Sequence, residues 1–223
     1  MTTPVTYTLT VVVPVHNEAG NIGVTLEAVA AEIIASGRFQ ADILVVDDGS
    51  TDATAVAARA ARADLPTEVI SQPNGGRMAA RRRGLKVARG EYLLFLDSRV
   101  RILPGSLRFA AEGLDRGDSV WTADVRIEAT GNPYGLFWNV ITEMAWAAYF
   151  DNPRTTSFTA VDFDHYPKGT TCLLAPTAVL RAAFDSFQTA YQDERYANDD
   201  TPILRGIAER QPIHVSPEYG CRY

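Results

Sequence analysis

The sequence has little lysine, cysteine or methionine, and it has no long apolar run. Of its 21 basic residues only Lys86 and Lys168 are lysine, so the other 19 are arginine, and an arginine by itself says little about function. The two cysteines, Cys172 and Cys221, match neither a disulfide framework nor a metal-ligand spacing. No stretch of about 18 apolar residues is available to span a bilayer. The N-terminus also lacks a basic flank followed by an apolar signal core. These absences lead us to expect a soluble, cytoplasmic chain. A net charge of −6 argues against non-specific nucleic-acid binding. No G-x-G-x-x-G follows the first apolar strand, which excludes a dinucleotide-dependent oxidoreductase. The loop there, P-V-H-N-E-A-G-N, has no lysine, unlike the glycine- and lysine-rich phosphate loop of a nucleotidyltransferase.

What is present is concentrated at strand ends. Ile43 to Asp52 reads I-L-V-V-D-D-G-S-T-D, an apolar strand closing on two adjacent carboxylates, a glycine and a cluster of helix-capping residues. Strand packing does not call for Asp47 beside Asp48, because each raises the other's cost of ionisation unless a donor, water or metal intervenes. Tyr92 to Arg99, Y-L-L-F-L-D-S-R, repeats the design.

Along the first hundred residues the pattern is β-α-β-α-β-α-β. Strands are expected at Leu9–Val15, Ile43–Asp47, Thr67–Ser71 and Tyr92–Leu96. The first helix carries Ile22, Leu26, Val29 and Ile33 at helical spacing, with Asn21 as its cap and Gly37 as its stop. A second helix should be capped by Ser50 or Thr51 and run to Arg62; a third should run from Arg77 to Ala88 and stop at Gly90. Apolar rather than alternating strands imply a mostly parallel α/β sheet covered on both faces, with ligands at the carboxyl ends of the strands. Beyond residue 110 we expect a short helix at Gly105–Leu114 and a strand at Val120–Ile127. An aromatic-rich helical segment should follow at Pro133–Phe150, then a strand at Thr171–Ala175, helices at Thr177–Phe184 and Thr201–Arg210, and a strand at Ile213–Val215. No linker marks a boundary, so one domain spans 1–223.

The motifs V-V-V-P-V-H-N-E, I-L-V-V-D-D-G-S-T-D-A-T, N-G-G-R-M-A-A-R-R-R-G and A-R-G-E-Y-L-L-F-L-D, in that order and spacing, resemble family 2 glycosyltransferases. The match is close over about the first 110 residues and looser through G-T-T-C-L-L-A-P, A-A-F-D and N-D-D-T-P-I-L. The resemblance implies a GT-A fold of Rossmann-like type, a nucleotide-diphosphate sugar as donor, and inverting transfer to an acceptor hydroxyl. Residues 1–110 would bind the donor and 111–223 would carry the acceptor and the catalytic base. Pro14, His16 and Glu18 would line the nucleotide pocket, and Asp48, with Asp47, would accept hydrogen bonds from base or ribose, which are donors. The turn Asn74–Gly76 lets backbone approach the donor, and Arg77 and Arg81, one turn apart, would face the phosphates or nucleoside. Close packing on the sheet is sufficient reason for Ala80, Gly84 and Ala88 on the same helix.

One departure stands out. The family usually reads D-x-D where this chain has Asp97-Ser98-Arg99, and the last aspartate is the one that holds a divalent cation, Mg²⁺ or Mn²⁺. A guanidinium can pair with phosphate oxygens and offset leaving-group charge. The favoured expectation is that Asp97 and Ser98 hold ribose or a weakly bound metal while Arg99 takes the phosphates. Two alternatives stay open: metal held by Asp97 with a late ligand such as His214, and a sugar-nucleotide binder or sensor without turnover. The family's base is the aspartate of an E-D pair opening a helix, which here falls on Asp199-Asp200, with Asp200 as the base. Plain helix capping by these acids, and His165 or His214 as base, are the competing readings. Trp138 and Trp146 are expected to form an acceptor wall, although aromatics such as Tyr134, Phe137, Tyr149 and Phe150 belong more often to cores. The acceptor class is open and includes lipid-linked hydroxyls.

Overall fold

The computed structural model describes residues 5–188 and 200–223. Strand β1, Tyr7–Val15, is apolar on both faces because both are covered. Leu9, Val11, Val13 and Val15 pack into one core with helix α1, Ile22–Ser36, while Val12 points into a second core with helix α3, Gly76–Val87. Burying whole side chains of this size stabilises by roughly 1.5–3 kcal/mol each before entropy is counted. Strands β2, Phe39–Asp48, β3, Thr67–Gln72, and β4, Tyr92–Leu96, run parallel to β1 in the order β3-β2-β1-β4. Val13 lies opposite Val45, and Val12 opposite Phe95. All four carboxyl ends therefore open on one edge.

The sheet continues through β9, Cys172–Pro176, antiparallel to β4, and then through β6, Trp121–Thr122, β10, Ile213–Val215, and β8, Thr156–Phe158. A smaller sheet joins β5, Arg101–Ile102, β11, Gly220–Arg222, and β7, Asp124–Arg126. The strand expected at Val120–Ile127 is thus split between two sheets, with Thr122 in the first and Asp124 in the second. Remaining helices are α2, Thr54–Ala60, α4, Ser106–Arg116, α5, Pro133–Ala145, α6, Ala147–Phe150, α7, Thr177–Ser186, and α8, Asp200–Ala208. None of the described helices is long and apolar enough to cross a membrane.

Local details refine the expected caps. Gly37 does end α1 in the left-handed region, at φ 63°. Asn21 is its N-cap residue as expected, but makes no side-chain cap bond; its amide donates to Glu18 Oε2 at 2.9 Å. Helix α2 begins three residues after Thr51 and ends before Arg62, because Asp52, and neither Ser50 nor Thr51, accepts the Thr54 N–H at 2.9 Å. Gly90 is no left-handed stop. It is glycine because a Cβ there would sit 2.5 Å from the Thr10 backbone nitrogen. Gly84, by contrast, does what close packing requires: a Cβ would come within 2.3 Å of Val12 Cγ1, so α3 can lie flat on β1 only without one. The α5 segment is helical as its spacing suggests, yet Tyr134, Leu136, Phe137, Trp138, Val140 and Met144 are all exposed and only Gly135 is buried.

Candidate active site

The loops after β1 and β2 are stitched into one rim. Asn17 takes a left-handed backbone, φ 54°, which its short polar side chain tolerates. From there its Oδ1 accepts the Thr51 N–H at 2.8 Å while its own N–H donates to Ser50 Oγ at 3.0 Å. Gly49 approaches the third loop so closely that a Cβ would lie 2.7 Å from the Asn74 nitrogen. Asp48 ties that loop down: its Oδ1 accepts Gln72 Nε2 at 2.7 Å and Gly75 N–H at 2.9 Å, and its Oδ2 accepts Gly76 N–H at 2.7 Å. A carboxylate offers about four lone-pair positions, so one remains for a ligand.

Under this rim lies a cleft of about 410 Å³. Pro14, His16, Glu18, Asp48, Arg77, Asp97, Ser98 and Arg99 all line it, so eight of the ten expected donor residues come together. The other two do not. Asp47 is turned into its own loop, where Oδ1 accepts the Ser50 N–H at 3.1 Å and Oδ2 the Ser71 hydroxyl at 3.2 Å. Arg81, expected to face the phosphates or nucleoside, is only 1% exposed and bonds to protein carboxylates instead. Tyr223 joins the lining without any signal in the sequence, because β11 reaches the cleft through a sheet formed at long range.

At the D-S-R end, Arg99 Nε donates to Glu18 Oε1 at 2.6 Å. Burial alone would raise the Glu18 carboxyl, but hydrogen bonds from Arg99 and Asn21 outweigh it and hold the group below the usual carboxylate range. The same bond raises the Arg99 guanidinium. Asp97 receives Arg81 Nη2 at 2.9 Å, and burial nevertheless pushes its pKa up against the pull of Arg81 and Arg77.

Asp200 opens α8 with its side chain 33% exposed. Arg81 Nη1 donates to its Oδ1 at 3.2 Å, and the Thr170 hydroxyl donates to the same oxygen. Burial pushes this carboxyl up, but the Arg81 charge and the Thr170 bond outweigh it and the pKa is lowered. Asp97 is the more enclosed of the two, its side chain 16% exposed, which is why one shared cation leaves the pair on opposite sides of the usual value. Asp199 lies outside the described residues. Sequence reasoning missed Thr170, whose only signal is its place in the looser match G-T-T-C-L-L-A-P.

The remaining candidates lie elsewhere. His214 Nε2 lies 3.2 Å from Asp118 Oδ1, to which it can donate, and the ring packs on Trp121 at 5.0 Å between ring centroids; it does not line the Asp97 cleft. His165 lines a separate hollow of about 220 Å³ with Tyr149 and Arg154. Trp138 borders an apolar depression with Pro133, Tyr134 and Phe137, whereas Trp146 donates from Nε1 to the Asp164 carbonyl at 3.2 Å and carries Lys168 Nζ 5.3 Å above its ring. Trp146 is not among the residues that line the Trp138 depression. Among the described residues no three His, Cys, Asp or Glu side chains cluster as a metal site. The carboxylates nearest the D-S-R end are already engaged, Asp97 by Arg81 and Glu18 by Arg99. Asp97, in the cleft lining, would be the carboxylate to hold a divalent ion there, together with phosphate oxygens of a bound donor.

The glycosyl transferase family 2 model matches residues 10–171. The chain belongs to that family. This family 2 chain is 35% identical over 111 residues to the dodecaprenyl-phosphate galacturonate synthase of Rhizobium johnstonii, covering 48% of the chain and 32% of that relative. It is 30% identical over 169 residues to the validoxylamine A glucosyltransferase of Streptomyces hygroscopicus subsp. jinggangensis, covering 70% of the chain and 40% of the relative. It thus spans well under half the length of these two curated relatives. In fold it is similar to S. aureus TarS 1-349 in complex with UDP, with a TM-score of 0.74 and 22% identity, covering 96% of the chain and 60% of that TarS 1-349 chain. It is also similar to the mannosyltransferase PcManGT from Pyrobaculum calidifontis in complex with GDP-Man and Mn²⁺, with a TM-score of 0.65 and 20% identity, covering 96% of the chain and 56% of the other. The fold of the family 2 chain is the GT-A fold that its motifs imply.

Proposed function

We propose that this protein transfers a sugar from a nucleotide-diphosphate sugar to an acceptor hydroxyl with inversion, using Asp200 as general base. The observation that carries this reading is that Asp200, at the start of α8, and Asp97, at the end of β4, are bound to the same guanidinium. A carboxylate from the far half of the chain is thereby tied to Asp97, which lines the cleft, although Asp200 is not itself among the lining residues. An anionic, partly exposed Asp200 can take the acceptor proton as the new C–O bond forms and the bond from sugar to diphosphate breaks. The leaving diphosphate gains negative charge, and Arg99 and Arg77 in the cleft lining supply cations to offset it.

In this reading residues 1–110 form the donor half and 111–223 the acceptor half. His16, Glu18, Asp48 and Pro14 face the nucleoside, and Trp138 and Trp146 offer separate apolar contacts to the acceptor side. Metal dependence is weak because Arg99 stands where a ligand would be, and PcManGT, which binds Mn²⁺, represents the metal-bound alternative. A second reading, a sugar-nucleotide binder without turnover, draws on the Arg99–Glu18 pair, since a diphosphate must compete with Glu18 for that cation.

The test is titration with UDP-, GDP- and dTDP-sugars, each with and without Mg²⁺ or Mn²⁺, followed by assay of nucleoside diphosphate release. One nucleotide class should bind and turn over without added metal. Binding with no turnover under any condition would leave only the second reading, and absolute dependence on metal would overturn the role given to Arg99.

A further inference from the structure

We propose that Arg81 is a positioning residue, a buried guanidinium bridge that sets the base carboxylate of Asp200 against the donor end of the cleft by holding it and Asp97 together. This inference rests on the reading of Asp200 as base. Arg81 projects from α3, the helix that Gly84 seats on β1, so its backbone is fixed by the sheet. Its fork is divided: Nη2 reaches Asp97 Oδ1 at 2.9 Å and the Thr170 carbonyl at 3.4 Å, and Nη1 reaches Asp200 Oδ1 at 3.2 Å. Its Cζ lies 5.6 Å from the centroid of the Phe95 ring on β4, which adds a cation–π contact inside the core. Residues 81 and 200 are 119 apart in sequence, so this bond is a tie between the two halves of the chain.

The choice of arginine follows from that geometry. A planar guanidinium can serve two acceptors from two nitrogens at fixed spacing, whereas an ammonium is a point charge on a flexible stem. Arg81 does not line the cleft, so it is set apart from the donor and acts through the groups it holds. Thr170 is a second fixed point on the same Asp200 oxygen, and its own backbone carbonyl is held by Arg81. Asp200, Arg81 and Thr170 thus form a closed triangle of contacts, to which Asp97 is joined through Arg81.

The experiment compares the full chain with its Arg81→Lys, Arg81→Met, Thr170→Val and Asp200→Asn variants and with the Arg81→Lys/Asp200→Asn double variant. Donor affinity is read by calorimetry with the tightest binder among UDP-GlcNAc, GDP-mannose and dTDP-glucose. Turnover is read as release of nucleoside diphosphate with water as acceptor, and folding by thermal melting. Arg81→Lys, which keeps the buried charge, should melt close to the parent and bind donor within about threefold, yet lose about 10- to 100-fold in kcat. Thr170→Val should lose kcat in the same direction with donor affinity unchanged. The double variant should be no worse than Asp200→Asn alone, because both changes act through one group. Unchanged kcat in Arg81→Lys, donor affinity falling in step with kcat, or additive losses in the double variant would each overturn the positioning role. Full turnover in Asp200→Asn would instead overturn the base assignment, so the two failures are told apart. If Arg81→Met does not fold, the lysine and threonine variants still decide the matter.

Discussion

The two sides of the cleft are held in place by opposite means. On the donor side, Asp48 accepts three hydrogen bonds from the loop that follows the neighbouring strand, two of them from backbone N–H groups. On the base side, Asp200 accepts from two side chains of other elements, the Arg81 guanidinium and the Thr170 hydroxyl. Backbone donors survive any substitution except proline and do not rotate away, so the donor rim is shaped largely by the fold itself. The base depends on a cation supplied from the other half of the chain. A change on the donor side should therefore appear as lost stability and affinity together, and a change on the base side as lost turnover with binding intact.

The largest expected effect tests the second half of that contrast. Asp200→Asn removes the proton acceptor but not a donor contact, so kcat should fall by about 10²–10⁴-fold while nucleotide affinity stays within error in a calorimetric titration. Equal loss of binding and turnover would show that Asp200 contacts the donor and would erase the distinction. Next comes Asp48→Ala, which strands the Gly75 and Gly76 N–H groups in a partly buried loop. It should cost about 2–3 kcal/mol in urea unfolding and weaken donor binding in the same protein. A variant that lost affinity without losing stability would mean that Asp48 acts on the ligand rather than on the rim. Third, Arg99→Ala should weaken diphosphate affinity by about tenfold, or about 1.4 kcal/mol, with a chelator lowering parent activity only modestly. If chelation stops parent turnover, the cation at this position is not the one that matters.

The same contrast explains how much could be read from the chain. The donor half was legible because each strand end carries its polar residues next to the apolar run that places them, as in I-L-V-V-D-D-G and Y-L-L-F-L-D-S-R. Four strands, three helices and the cleft residues His16, Glu18, Asp48, Asp97, Ser98 and Arg99 follow from such local patterns, whereas Pro14 and Arg77 follow from the family resemblance. What failed there was the direction of side chains: spacing puts Arg77 and Arg81 one turn apart on α3, but only Arg77 lines the cleft, because Arg81 finds two carboxylates beneath it. The side chains of Asn21 and Ser50 make no cap bond for a similar reason, since Glu18 and Asn17 bind them, although Asn21 does hold the N-cap position. In the second half the strands are two to five residues long and pair across long separations, so Val120–Ile127 gives no hint that it divides between sheets. Helical spacing in α5 was read correctly, but spacing cannot say whether an apolar face meets a core, and here it meets solvent.

The smallest expected effect concerns the pair that joins the first loop to the D-S-R turn. Glu18 is held below its ordinary value once Arg99 and Asn21 outweigh burial, so the folded pKa lies beneath the unfolded one of about 4.3. A carboxylate lowered in this way adds stability above its unfolded pKa and loses it as pH falls through the folded value. Arg99 is 53% exposed, which screens the pair and limits it to about 0.5–1 kcal/mol. Glu18→Gln should therefore lower stability slightly at pH 7 and flatten the decline between about pH 5 and pH 3, as read from urea midpoints across that range. Nucleoside diphosphate should bind the variant slightly better, because Arg99 no longer has to leave Glu18 to meet a phosphate. Weaker binding instead would mean that the contact of Glu18 with the nucleoside outweighs its competition for Arg99, and the pair would then belong to the ligand-facing side of the comparison rather than to the scaffold.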